Sequence, residues 1–166
     1  MSETGPVGIV GIGAMGLPMA RNLMRRGMAP QVRDIDPKAV AAALALGASA
    51  VQVGTAFLLC PEATTSPIHR AALKSEAARH TAVTNVFTGR PARGIVNRVV
   101  REVGPMNPAA PAFPLAASAM APLRARAESQ GSGDFSPLWS GQNASGCREI
   151  PAAQLVRELA AGLPVS

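Results

Sequence analysis

Val7-Gly8-Ile9-Val10-Gly11-Ile12-Gly13-Ala14-Met15-Gly16 is the stretch that decides how the chain starts to fold. A short apolar run ending at a glycine predicts a buried parallel strand entering a tight turn. Gly11 permits the reversal, Gly13 lets a diphosphate approach the backbone without meeting a side chain, and Gly16 lets the next helix pack close to its strand. Met15, Met19 and Leu23 then recur on one helical face, Arg21 and Arg25 lie on another, and Gly27 stands where a C-cap belongs. Free N–H groups at the start of this helix, around Ala14, Met15 and Gly16, form an anion site. Asp34 lies 23 positions after Gly11, near the end of a second predicted strand at 31–35. A carboxylate there accepts hydrogen bonds from the ribose hydroxyls of NAD, while neighbouring Arg33 leaves NADP open as well.

Continuing outward, the pattern predicts strand 7–10, helix 14–26, strand 31–35, helix 38–46 and strand 50–56. This is an α/β arrangement: a small three-stranded parallel βαβαβ unit with right-handed crossovers, followed by a mainly helical, loop-rich tail. The division falls at 1–56 and 57–166. In the tail, Ser66 before Pro67 opens a helix to about Arg79, and 82–87 is extended. Ile95, Val96, Val99, Val100 and Val103 form an apolar helical stripe opposite Arg93, Arg98 and Arg101, stopped by Gly104-Pro105. Residues 106–114 read as a linker, 115–129 as helical despite Pro122, and 131–146 as loop. Pro151 opens a last helix in which Leu155, Val156 and Leu159 face one way, and Gly162 and Pro164 end it.

Composition narrows the function classes. With 166 residues, 48% of them apolar but only 3% aromatic, the chain can bury a core of small side chains. No apolar run approaches the roughly 20 residues of a membrane span. The opening Met1-Ser2-Glu3-Thr4-Gly5-Pro6 lacks the basic and apolar regions of a secretory signal, so a cytoplasmic location is expected. The net charge of +6 comes from scattered arginines without interleaved aromatics, which reads as a solvated basic surface and not a nucleic-acid face. Cys60, Cys147, His69 and His80 show no metal-ligand spacing, and no metal is expected.

The longer string Gly11 to Leu23 resembles the 3-hydroxyisobutyrate and 6-phosphogluconate dehydrogenases, over roughly residues 6–48. That family's catalytic lysine, followed four residues later by asparagine, has no counterpart here, since neither Lys38 nor Lys74 has that spacing. From about Ala39 onward the chain resembles a second family, the FMN-dependent nitronate monooxygenases, formerly 2-nitropropane dioxygenases. The matching segments are Gly47–Thr55, Cys60-Pro61-Glu62, Phe87-Thr88-Gly89-Arg90-Pro91-Ala92-Arg93 and Leu138-Trp139-Ser140-Gly141-Gln142. This resemblance implies the closing part of a (β/α)₈ barrel, with Gln52, Val53, Gly54 and Thr55 holding the FMN phosphate. A plain buried strand is the alternative at those four positions. Val32 and Arg33 fall where the monooxygenases carry the paired glycines of the other half of that phosphate site. Trp139 and Gln142 either lie near the flavin or anchor a loop on the core, and Arg90 and Arg93 either contact phosphate or are solvated.

Together the resemblances imply a hybrid with a seam near 34–40. The leading expectation is an oxidoreductase-derived module that binds a small-molecule nucleotide, NAD or NADP, at Gly11, Gly13, Ala14, Met15, Gly16 and Asp34, without complete catalytic machinery. The alternatives are an FMN-dependent nitronate monooxygenase-like fragment and a non-functional fusion product. The family's catalytic histidine motif matches neither His69 nor His80, so no catalytic residue is assigned. Open edges of the proposed sheet predict association between copies, with neither nucleic acid nor membrane as a partner.

Overall fold

The computed structural model describes residues 8–10, 25, 31–33, 45, 53–144 and 146–161. Backbone contacts divide the chain into two units, one formed by 1–63 with 146–166 and the other by 64–145.

In the first unit, β1 (Gly8–Val10) pairs in parallel with β2 (Gln31–Arg33), with Gly8 opposite Gln31 and Val10 opposite Arg33. The two expected strands are therefore present and adjacent. Of the two helices expected beside them, only Arg25 and Ala45 fall among the described residues, and both are helical. A third strand at 50–56 is corrected over its described part: Thr55–Leu59 is a 3-10 turn, capped by Gly54, whose carbonyl accepts from Phe57 N–H at 3.0 Å. This turn winds Ala56 and Cys60 inward onto Leu155, and Val53, Phe57, Ile150, Ala152 and Leu159 pack around them. Tertiary burial overrides the β propensity of Val53.

The last helix of the chain, Ala152–Ala161, contributes Leu155 to that core. Its N-terminus is closed from a distance: the Glu62 carboxylate accepts from Ala152 N–H at 3.0 and 3.2 Å. A negative group there satisfies an orphan donor and complements the helix dipole. Val156 is 52% exposed, so the expectation that it shares the face of Leu155 is corrected. Successive helical positions are 100° apart, and only Leu155 and Leu159, one turn apart, can share a narrow core face.

In the second unit, α1 (Pro67–Leu73) begins as the sequence predicts, with Ser66 Oγ accepting from His69 N–H at 3.2 Å and proline at the first turn. It stops sooner than expected. Lys74 and Ser75 interrupt it, and Glu76–Arg79 forms a separate 3-10 turn. Next, β3 (Thr81–Thr84) and β4 (Ala92–Ile95) form an antiparallel hairpin with Thr81 opposite Ile95. The segment 138–140 runs along the free side of β4: Ile95 N–H donates to Leu138 O at 2.8 Å, and Ser140 N–H donates to Arg93 O at 3.1 Å. The single helix expected across the 95–103 stripe is thus corrected. Ile95 belongs to β4, and only Arg98–Val103 is helical, as α2.

The hairpin loop is anchored by reciprocal amide bonds, Asn85 Nδ2 to Asn107 O at 3.0 Å and Asn107 N–H to Asn85 Oδ1 at 2.9 Å. Helix α3 (Leu115–Glu128) continues through Pro122 and is capped by Ser129, and the chain turns away at Gly131, whose φ of 75° suits a glycine. Ser132 N–H then reaches back to Ala127 O at 2.9 Å. The core of this unit is Val86, Phe87, Val99 and Val100, with Ala82, Val96, Met120, Phe135 and Trp139 packed on it. Burying each such side chain contributes about 1.5–3 kcal/mol. The final helix of the first unit, Ala152–Ala161, is α4.

Candidate functional site

Gly11, Gly13, Ala14, Met15, Gly16, Asp34 and Gln52 lie outside the described residues. Of the expected phosphate-binding positions, Val53, Gly54 and Thr55 are described. Val53 is half-buried against the Ala56–Cys60–Leu155 cluster, which fixes the entry to the turn. Gly54 is exposed, and a β-carbon added there would meet no heavy atom within 4 Å. Its φ of −125° demands no glycine, so what glycine supplies is bare backbone open to a ligand. Thr55 starts the 3-10 turn, and its carbonyl accepts from the Cys147 thiol at 3.4 Å. The geometry fits a phosphate: an uncovered glycine followed by a hydroxyl residue, held from behind by a packed turn.

Cys147 is a poor nucleophile. Burial first, and the nearby Cys60 second, push its thiol up to about 11. Both cysteines are free thiols, and Cys60 is buried.

The remaining expected residues are brought together around the β3–β4 hairpin. Gly89 has φ 82°, and a β-carbon there would come within 2.4 Å of Phe113 N and Pro111 O. Only glycine fits that close approach. Arg90 lies over the Phe113 ring at 4.2 Å, a cation–π contact at an exposed site. Arg93 Nη1 donates to Thr81 O at 3.3 Å and to Thr81 Oγ1 at 3.1 Å. Trp139 meets Phe87 edge to face at 5.6 Å and bridges to Gly94, so it anchors its loop on the core.

His69 is half-buried, and its Nε2–H donates to Trp139 O at 2.8 Å. Burial lowers its pKa, partly opposed by that hydrogen bond. The ring is thus a neutral structural tie between α1 and the Trp139 loop.

Two residues that organise these elements were not singled out by sequence pattern. Asn97 is buried, caps α2 by accepting from Val100 N–H, and donates to Gly133 O at 2.8 Å and Ser136 O at 2.9 Å. Its signal was an asparagine directly before a helix, hidden because the helix was expected to begin several residues earlier. Glu62, noticed only as part of a motif, is the remote cap of α4. Among the described residues, no group of three or more His, Cys, Asp or Glu is placed to hold a metal ion.

Comparison with known proteins agrees with one of the two resemblances. The family profile described as nitronate monooxygenase matches residues 35–162, and the chain belongs to that family. The nitronate monooxygenase of Pseudomonas aeruginosa is 43% identical over 147 residues, covering 86% of this chain and 42% of that protein. That of Paraburkholderia phytofirmans is 40% identical over 126 residues, covering 75% of this chain and 34% of the relative. Among solved structures, nitroalkane oxidase from Streptomyces ansochromogenes superposes with a TM-score of 0.75 at 38% identity, over 89% of this chain and 43% of its own. FabK from Thermotoga maritima gives 0.61 at 25% identity, over 86% and 47%. The chain spans less than half the length of these relatives.

The expected dehydrogenase hybrid is corrected by these coverages. About four-fifths of the chain lies after Asp34, whereas the Pseudomonas and Streptomyces proteins align over 86% and 89% of it. The flavin-family likeness therefore crosses the seam placed at 34–40. A parallel β1–β2 pair is common to Rossmann units and (β/α) barrels, so it lends no separate support to a Rossmann start or to NAD or NADP.

Proposed function

We propose that this chain forms part of an FMN-dependent oxidoreductase of the nitronate monooxygenase type, in which Gln52, Val53, Gly54 and Thr55 hold the flavin phosphate. The observation that carries the reading is the uncovered backbone at Gly54, backed by a packed 3-10 turn, in a chain 43% identical to a nitronate monooxygenase across 86% of its length. Backbone N–H groups and the Thr55 hydroxyl would donate to phosphate oxygens, while Ala56 and Cys60, buried behind them, keep the turn from collapsing. Bound FMN would supply the redox chemistry for nitronate oxidation. No residue of this chain is assigned a catalytic role.

The test is retention of flavin absorbance after the protein is incubated with FMN and passed through a desalting column. Retained yellow colour, reduced at least tenfold in affinity by Gly54→Val, is the expected result. A colourless protein after reconstitution would overturn the reading. NADH titrated in parallel should give no saturable change; saturation would restore the dinucleotide alternative.

A further inference from the structure

Residues 64–145 hold nine Arg and Lys against four Asp and Glu, so five of the chain's six net positive charges lie in this unit. A basin of about 740 Å³ opens on it, with Arg79, His80, Thr81, Arg93, Arg101 and Gln142 in its wall. No carboxylate lines it. Of the unit's acids, Glu76 pairs with Arg79 at 3.0 Å in an exposed contact, Glu102 pairs with Arg98, and Glu128 approaches Arg124 at 3.9 Å.

Arg79, Arg93 and Arg101 all contribute to the wall of this one concavity, Arg79 with Glu76 on its guanidinium, and low-dielectric walls concentrate the field of the positive charges around it. An anion seated there would gain from that field. Arg93 is fixed for the purpose: Nη1 is tied to Thr81, which sets the plane of the fork, and a guanidinium carries five N–H donors in all. Gln142 adds a neutral donor. The donors outnumber the two oxygens of a carboxylate but match the oxygens of a phosphate or diphosphate, which guanidinium forks engage in pairs.

We propose that this basin binds a phosphorylated small molecule, its phosphate or diphosphate group held by Arg79, Arg93 and Arg101. It shares no residue with the turn assigned to the flavin phosphate, and the proposal stands whether or not that assignment does.

The test is calorimetric titration of the full chain with inorganic pyrophosphate, with succinate as a dicarboxylate comparison. Saturable binding of one pyrophosphate per chain is expected, with succinate at least tenfold weaker. Arg101→Gln should weaken pyrophosphate at least tenfold, about 1.4 kcal/mol, while Arg124→Gln, outside the basin, leaves it unchanged. Arg79→Gln, on an exposed side chain, serves as a second variant, with folding of each checked by circular dichroism. Absence of heat up to roughly 10 mM pyrophosphate, equal affinity for succinate, or equal weakening by Arg101→Gln and Arg124→Gln would overturn the proposal.

Discussion

Asn97 joins two parts of the 64–145 unit, because its one amide closes α2 and ties down two carbonyls of the 131–140 loop. Asn97→Ala removes a cap and leaves Gly133 O and Ser136 O without that donor, a loss of about 2–4 kcal/mol. For a unit of this size the melting temperature should fall on the order of 10 °C or more. Asn97→Asp keeps the cap acceptor but turns an oxygen toward two carbonyls, and should be at least as damaging in the same melt. His69 sets a pH dependence of definite sign. Its folded pKa is lowered from 6.5 by burial, so the neutral ring favours the folded state. That contribution is complete above pH 6.5 and is lost as pH falls through the lower folded value. Melting temperature between pH 5 and 7 should therefore drop with acid, and His69→Gln, which retains a donor for Trp139 O, should flatten the profile. The cap at Asn97 is legible only once the start of α2 is known, whereas its bonds to the 131–140 loop and the tie made by His69 depend on burial and distant partners that a lone side chain does not reveal.

At the scale of elements, local chemistry was readable wherever one short signal acted alone. Ser66-Pro67 predicted the start of α1, and Gly104, with φ 82°, stopped α2 as expected. Where two elements abut, their apolar patterns merged. Ile95 and Val96 continue the spacing of Val99, Val100 and Val103, so a strand end and a short helix read as one helix; pairing of β4 with β3 and Leu138 separates them. The described part of the strand expected at 50–56 differs for a related reason, since a β-branched residue beside a glycine does not reveal that Ala56 and Cys60 must turn toward Leu155. The remote cap yields a prediction at this scale. Glu62→Ala should cost about 1 kcal/mol and Glu62→Gln about half of that, because the amide keeps an acceptor while losing the charge. Urea unfolding followed by helical circular dichroism checks both values.

For the whole molecule, the segments that match the flavin family pointed to the right relatives, whereas the glycine loop pointed elsewhere. A strand, a glycine-rich turn and a helix solve the same packing problem in dinucleotide-binding domains and in barrels, so the local pattern at 7–27 could not separate them. Extent of similarity along the chain did. The flavin-phosphate positions proposed at Val53, Gly54 and Thr55 rest on family likeness, while the basin walled by Arg79, Arg93 and Arg101 was invisible because those residues are brought together only by the 76–79 turn, the hairpin and α2. Scattered arginines in a sequence are not scattered once folded. One feature of the core serves the experimenter directly. The chain has a single tryptophan and no tyrosine, and that tryptophan is seated on Phe87 in the 64–145 unit. Its emission, excited near the red edge, follows that unit, so a fluorescence melt set beside a circular dichroism melt of the whole chain tells whether the unit unfolds with the rest, without any added label.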